Sequence, residues 1–389
     1  MTTLDYRTAG ESHGPSILAL VEGMPAGVPV DVPMINGELR RRQGGYGRGG
    51  RMQLERDEVI VLSGVRAGYT MGSPIALQIV NRDARLESAP AVVRPRPGHA
   101  DLAGALKWLT TDCRNVIERA SARETAARVA AGALAKCLLN EFGIEVFGYV
   151  LAIGPVTGVV DDRAPISVLR AARDGNEVYC PDAAVSAAMT EVIRQAKIEK
   201  DTVGGVVEVR VEGCPPGLGS CMRWQEKLDG RLMQAVGSIQ AIKGVEIGAG
   251  FAAAGQRGSA VHDPIGFDAA LEQRPSLGYV RTSNNAGGLE GGMSNGQAIV
   301  VRAAMKPIST LLQGMDSVNL LTRAPKRSDY ERSDICAVPA AGVVAENVVA
   351  FEIARSFLEK FGGDTLSAVR GSYARFLQDG RGLGKGGGG

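Results

Sequence analysis

The sequence predicts one interleaved α+β domain, and three observations carry that reading. Stretches of helical period and stretches of strand character alternate along the chain. No proline- or serine-rich linker divides the 389 residues, although that length alone would suit two or three domains. Arg119–Phe142, RASARETAARVAAGALAKCLLNEF, reads as one long helix with a small apolar face (Ala126, Val129, Ala130, Ala133, Leu134, Cys137, Leu138). Small side chains let another backbone come close, so this helix is expected in the middle of the core. Ser121 and Glu124 stand at capping-box spacing, Glu124 and Arg128 pair at i,i+4, and Gly143 supplies a stop. With Arg119 and Arg123 nearby, the free N–H groups at its start make a candidate anion site. The same features also fit a well-capped buried helix with surface arginines, and both readings stand open.

The other elements follow in order. Leu4–Ala9 and Ser16–Glu22 are strand-like, separated by GESHG, and a short helix over Ile35–Arg42 leads into RRRQGGYGRGGRM. Val59–Val65 and Ile75–Asn81 read as strands joined by the turn-rich AGYTMGSP. After an arginine- and proline-rich loop (Arg82–Gly98) comes a short helix, Asp101–Trp108, and then the long helix. Ile144–Ile153 is a strand, Asp182–Lys200 a helix capped by Asp182, and Val206–Val211 a half-exposed strand with Val207, Val209 and Val211 on one face. Trp224–Ile239 is a helix, Gly244–Phe251 and Ala298–Met305 are strands, and Pro339–Phe361 is the last long helix. The domain is therefore expected over 1–379, with the glycine-rich 380–389 as a disordered tail.

Composition narrows the class. Hydrophobic content is 44% and net charge only +2, so no global field argues for nucleic acid. The start of the chain lacks a signal-peptide pattern, and no 18-residue apolar run suits a membrane span. Six cysteines (113, 137, 180, 214, 221, 336) form no C-x-x-C pair and read as reduced thiols of a cytoplasmic protein, with no metal site.

The chemistry concentrates in loops. Arg40, Arg41, Arg42, Arg48 and Arg51 lie in a stretch without acidic residues, interleaved with Gly44, Gly45, Gly47, Gly49 and Gly50. Arginine binds carboxylate or phosphate in forked pairs, and glycine lets the backbone approach a ligand, so a small polyanion fits. An RNA-binding patch is the rival, with Tyr46 as its single aromatic. GYGRGG matches the dinucleotide glycine pattern but follows an arginine run instead of a strand, which discards it. His13 and His99 sit between small residues in loops, where a histidine either exchanges protons or is merely exposed; His262 reads as structural. Lys306-Pro307-Ile308-Ser309-Thr310 offers an ammonium and two hydroxyls to a phosphate, and Arg332 stands two residues before Asp334, a candidate proton acceptor.

Taken together, GESHG, RRRQGGYGRGGRM, RPGHAD, ERASARETAARVAAG, SNNAGGLEGGMSNG, KPIST and RSDICAVPAA resemble the chorismate synthase family, in that family's order, from about Thr8 to about Phe361. Ile335 is a slight hydrophobic departure, and the glycine tail falls outside. The resemblance implies a β-α-β sandwich with central helices between antiparallel sheets, assembled as a homotetramer. It implies elimination of phosphate from 5-enolpyruvylshikimate-3-phosphate to give chorismate, with reduced FMN and no net redox change. NADPH or a separate flavin reductase would keep the flavin reduced; no nucleic acid or membrane takes part. By the same resemblance His13 protonates the departing phosphate, His99 faces the reduced flavin, and Asp334 with Ser12 and Ser121 forms a proton relay. Arg42, Arg48, Arg51 and Arg123 match substrate-binding positions, and Arg42 and Arg48 also match nicotinamide positions. Flavin contacts fall on Arg119, Ala120, Ser121, Gln240, Ala241, Gly291, Lys306, Pro307, Ile308, Ser309, Thr310 and Arg332.

Overall fold

The computed structural model describes residues 3–50, 54–161, 164–329, 331 and 333–383. Strands β1 (Asp5–Ala9), β2 (Ser16–Glu22), β3 (Val59–Val61) and β4 (Ile75–Val80) form one sheet in the order β1-β2-β4-β3. Strands β5 (Glu145–Ile153), β6 (Val156–Thr157), β7 (Gly205–Glu212), β8 (Ile242–Ile247) and β9 (Ile299–Met305) form a second, ordered β8-β9-β7-β5-β6. Every pairing in both sheets is antiparallel. The helices are α1 (Val32–Gln43), α2 (Asp101–Lys107), α3 (Arg114–Ala120), α4 (Thr125–Asn140), α5 (Ile166–Asp174), α6 (Ala183–Ile198), α7 (Leu228–Gly237), α8 (Val338–Phe361) and α9 (Leu366–Gly382).

Period-two alternation decides the sheet faces. The β2–β4 register sets Ile17 against Ile79, Ala19 against Leu77 and Val21 against Ile75, and all six are buried. That face rests on α4, while α8 packs against β5 and β7 of the other sheet. The two helices therefore fill the middle of a β-α-β sandwich, as the resemblance implied. They meet so closely that a Cβ on Gly132 of α4 would lie 2.1 Å from the Asn347 carbonyl oxygen of α8. One cluster of buried residues runs from Leu4 to Tyr373.

Inside this layer Glu346 of α8 is surrounded by cations. Its carboxylate takes Lys136 of α4 at 2.5 Å, Arg41 of α1 at 2.9 Å and Arg173 of α5 at 3.2 Å, with the Gly148 N–H at 2.9 Å. Burial alone would raise the Glu346 carboxyl; Arg41, Lys136 and Arg173 outweigh it and hold the group well below its ordinary value.

Several elements differ from the sequence reading. Arg119–Phe142 is two helices, α3 and α4, broken where Ser121 turns extended (ψ 142°) and followed by a 3₁₀ turn, Ala122–Glu124. No capping box forms: Ser121 Oγ accepts from the Arg123 N–H, and Glu124 reaches Thr8 and Gln240 besides Arg128. Arg123 is drawn the other way, to Asp57 and Asn81, and these opposed anchors leave no continuous helix across the break. Strand β7 is not half-exposed: Glu208 and Arg210 are buried too, because Phe147, Tyr149, Ile166 and Leu169 cover that face. Val59–Val65 stops at Val61, and Val65–Arg66 pairs with Tyr69–Thr70 as a small hairpin. Trp224–Glu226 is a 3₁₀ turn ahead of α7. Helix α9 carries past Gly380 to Gly382, where Gly380 packs against Leu277, so the expected tail boundary falls inside a helix; 384–389 lie outside the described residues.

Two outcomes follow. Gly132→Leu should lower stability by about 1–3 kcal/mol or more in urea unfolding, despite leucine's better helix propensity, because backbone blocks the new side chain. Glu346→Gln should be destabilising at neutral pH, since it removes the one carboxylate shared by three buried cations and leaves Arg41 and Lys136 with only Glu38 and Arg173 with only Asp174. With the folded carboxyl depressed, that contribution is complete above the ordinary value of 4.5 and is lost as pH falls through the lower folded value. Unfolding curves of both proteins should therefore converge in acid.

Candidate active site

The GESHG loop between β1 and β2, the glycine loop after α1, the 82–98 loop, the α3–α4 break, the α7–β8 turn, the chain after β9 and the approach to α8 line one cavity of about 940 Å³. That lies near the top of the range for small-molecule sites and leaves room for a cofactor beside a substrate. Of the residues expected in the site, Ser12, His13, Arg42, Arg48, His99, Ala120, Ser121, Arg123, Gln240, Ala241, Lys306, Ile308, Ser309, Thr310 and Asp334 line it.

His13 is held from behind. Its Nδ1 is 2.9 Å from Glu118 Oε1 on α3, its backbone N–H donates to Glu118 Oε2 at 2.8 Å, and its Nε2 is 3.7 Å from Asp83. Burial would raise the Glu118 carboxyl, but hydrogen bonds from His13 and the charge of Arg114 pull it below its ordinary value. An ionised Glu118 accepts the Nδ1 proton, which leaves Nε2 as the nitrogen turned to the cavity. His99 is held in the same manner: Nδ1 bonds Asp101, a fully buried carboxylate. Arg96 grips Asp101 with two bonds, at 2.8 and 3.0 Å, and reaches Thr310 at 3.0 Å. Burial opposes ionisation of Asp101, yet the bonds from His99 and Arg96 hold it well below the carboxylate range.

Asp334 accepts from Arg48 Nη1 at 2.5 Å and from the Gly49 N–H at 2.7 Å. On the far side, burial and the charge of Lys243 both lower the Lys306 ammonium. Among the described residues neither lysine pairs with a carboxylate, and the buried Gln240 Oε1 has no hydrogen-bond partner. Two ammonium groups, the hydroxyls of Ser309 and Thr310 and an open acceptor form a set that an anion with an N–H group completes. Ala241 holds φ at +67°, a conformation side-chain-bearing residues rarely adopt.

The arginine run behaves differently from its sequence reading. Arg40, Arg41 and Arg42 form the last turn of α1. Arg41 is spent on Glu38 and Glu346, and Arg42 and Arg123 close on the buried Asp57, each at 2.7 Å. Burial lowers the Arg42 guanidinium and would raise Asp57, but the two arginines keep Asp57 below its ordinary value. Both line the cavity, yet their charge is largely met within the protein. The glycines let the loop approach its own chain instead of a ligand: a Cβ on Gly44 would lie 2.4 Å from the Tyr179 hydroxyl, and one on Gly45 2.6 Å from Pro339. Arg48 is the member that reaches into the site. Exposed Arg119 instead bonds Thr8 and Gly10 backbone carbonyls, and Gly291, in the Leu289–Ser294 hairpin, lies off the cavity, as does Pro307. His262 is exposed and also lies off it. Arg51 and Arg332 lie outside the described residues.

Sequence reasoning missed Glu118, Asp101, Arg96, Asp83, Asp57 and Lys243. Three of these, Arg96, Asp101 and Glu118, stood inside motifs already singled out, RPGHAD and ERASARE. The signal would have been a carboxylate close to a loop histidine, but Glu118 is 105 residues from its partner.

A cleft that backs two histidines with carboxylates and faces them with arginine and lysine defines an enzyme that handles protons against a bound polyanion. Comparison with known proteins narrows this class. The family model described as chorismate synthase matches residues 4–358. Curated chorismate synthases of Desulforudis audaxviator and Pelobacter propionicus are 53% and 55% identical, each over 96% of this chain and 97% and 98% of their own. A crystal structure titled as chorismate synthase superposes with a TM-score of 0.80 at 40% identity, covering 98% of this chain and all of that one. The chain belongs to the chorismate synthase family.

The geometry separates two arginines that the sequence treats alike. Arg42→Ala should cost about 3–5 kcal/mol of stability in denaturant titrations, the scale for stranding a buried partner. Arg48→Ala should leave the unfolding midpoint nearly unchanged and weaken binding of the anionic substrate by roughly 2–4 kcal/mol in calorimetry.

Proposed function

We propose that this chain converts 5-enolpyruvylshikimate-3-phosphate to chorismate by 1,4-elimination of phosphate, with reduced FMN bound beside the substrate. The observation that carries the proposal is the convergence of His13, His99, Asp334, Arg48 and the Lys306 segment on a single cavity. The residues suit such a flavin: Lys306, Lys243, Ser309 and Thr310 match its phosphate, and the unpartnered Gln240 Oε1 suits an N–H of its ring. When bound, the reduced flavin supplies electron density as phosphate leaves and recovers it as the C6 hydrogen departs, so none is consumed.

The chain's own part is to bind, orient and move protons. Arg48 meets the anionic groups of the substrate. His13, as the imidazolium, donates its Nε2 proton to the departing phosphate oxygen, its ring set by the Nδ1–H bond to Glu118. His99, fixed by Asp101, presents its Nε2 as a hydrogen-bonding group toward the flavin side. Asp334, with Ser12 and Ser121 lining the same cavity, takes up the proton lost from C6. If NADPH reduces the flavin in place, Arg48 is the available cation, because Arg42 is committed to Asp57.

We also place the protein in the cytoplasm, as a homotetramer of single-domain chains. All six cysteines are free, and no described helix is long and apolar enough to cross a membrane. Leu20, Ile60, Leu62 and Val80 leave the outer side of the first sheet apolar and exposed, which suits cover by another copy.

The test is anaerobic turnover with chemically reduced FMN, with and without NADPH. One reduced flavin should support many product molecules, and His13→Ala or His99→Ala should lower the rate by about two or more decades. A product-to-flavin ratio fixed at one, with oxidised flavin accumulating in step, would sink the reading. Activity with NADPH alone in air would show that no separate reductase is needed.

A further inference from the structure

We infer that Glu118 is a positioning residue, whose carboxylate fixes which nitrogen of His13 faces the substrate. The inference rests on His13 being the proton donor to the departing phosphate, and it goes further by assigning what makes that nitrogen available.

The contacts around the residue support an orienting role. Glu118 makes three contacts with His13: Nδ1 to Oε1 at 2.9 Å, Nδ1 to Oε2 at 3.1 Å, and the His13 backbone N–H to Oε2 at 2.8 Å. Its own backbone carbonyl takes the Ser12 N–H at 3.0 Å, so the loop and the ring are registered on the same turn of α3. Glu118 is itself held from behind by Arg114 at 3.5 Å, and Arg114 reaches on to Glu331 at 3.0 Å. The other charged groups near the ring are Asp83, 3.7 Å from Nε2, and Arg85, which pairs with Asp83 at 3.0 Å.

A histidine ring on a glycine-flanked loop would otherwise flip freely and populate both tautomers. A carboxylate that already accepts the backbone N–H accepts the Nδ1 proton with no further rearrangement. The ring then has one orientation, with Nδ1–H on Glu118, and Nε2 is the atom that takes the second proton of the imidazolium and hands it to an oxygen in the cavity. Glu118 itself is buried behind the ring and does not line the cavity. Its effect on the reaction therefore passes through His13.

A double-mutant cycle reads this directly. Glu118→Gln keeps the volume of the side chain but not its charge. It should lower kcat by about one to two decades, part of the usual effect of a general acid, while KM changes by no more than about threefold. In a His13→Ala background the same substitution should have almost no further effect, because the group it positions is gone. Losses that multiply in the double variant would mean that Glu118 acts independently of His13 and would overturn the inference. Normal turnover by His13→Ala alone would instead remove the proton-donor reading, a distinguishable failure. Nitrogen NMR of histidine-labelled wild-type protein gives a second measurement that needs no variant to fold. The neutral His13 ring should carry its proton on Nδ1, and a ring protonated on Nε2 overturns the assignment.

Discussion

Backbone contact between α4 and α8 is the constraint on which the rest of the molecule depends. At Gly132 there is no room even for a methyl group against Asn347, and the alanines along α4 keep the helices close on both sides of that point. The crossing sets the thickness of the middle layer and hence the gap between the two sheets. It also brings the starts of both helices to one place. Thr125 at the head of α4, and Ala337, Ala340, Ala341 and Val344 near the head of α8, line the same cavity. The segments that lead into them carry Ser121 and Arg123 on one side and Ser333 and Asp334 on the other. Cavity-lining groups about 200 residues apart thus sit together because two small-faced helices pack without a gap.

Such close packing could bury charge only where charge is matched. Glu346 stands where α1, α4, α5, α8 and β5 meet, and its three cations and the Gly148 N–H satisfy it from all of them. Asp57 does the same nearer the cavity, between Arg42 and Arg123. Buried pairs of this kind contribute little net stability over apolar packing, but losing one partner is severe. What they supply here is register, since each arginine arrives from a different element and only one arrangement satisfies all of them.

The same logic, at lower saturation, makes the site. Histidines 13 and 99 each have a buried carboxylate behind them and an arginine behind the carboxylate, so neither ring is free to turn. Arg48 has one carboxylate, Asp334, and keeps donors for a ligand; Lys306 and Lys243 have none among the described residues. The cavity is therefore a region of incompletely matched positive charge beside rigidly held histidines. Such a region suits a multiply charged anionic substrate.

Much of this was legible in the sequence. The small face of Ala126–Leu138 announced a central helix, since helical period and side-chain size are local properties. His13, His99, Lys306 and Asp334 stood out because titratable residues in glycine- or proline-marked loops have few structural reasons to be there. The order of the motifs identified the family. Tertiary structure decided which arginines were free: Arg41, Arg42 and Arg48 look alike in the chain, and only their partners separate two whose charge is met by buried Glu346 and Asp57 from one, paired with Asp334, that keeps donors open to the cavity. It also broke the predicted 24-residue stretch at Ser121, because Arg123 and Glu124 are pulled to anchors on other elements. Local spacing sets what each residue can do, whereas charge compensation and orientation depend on partners such as Glu118 that only folding brings within 3 Å.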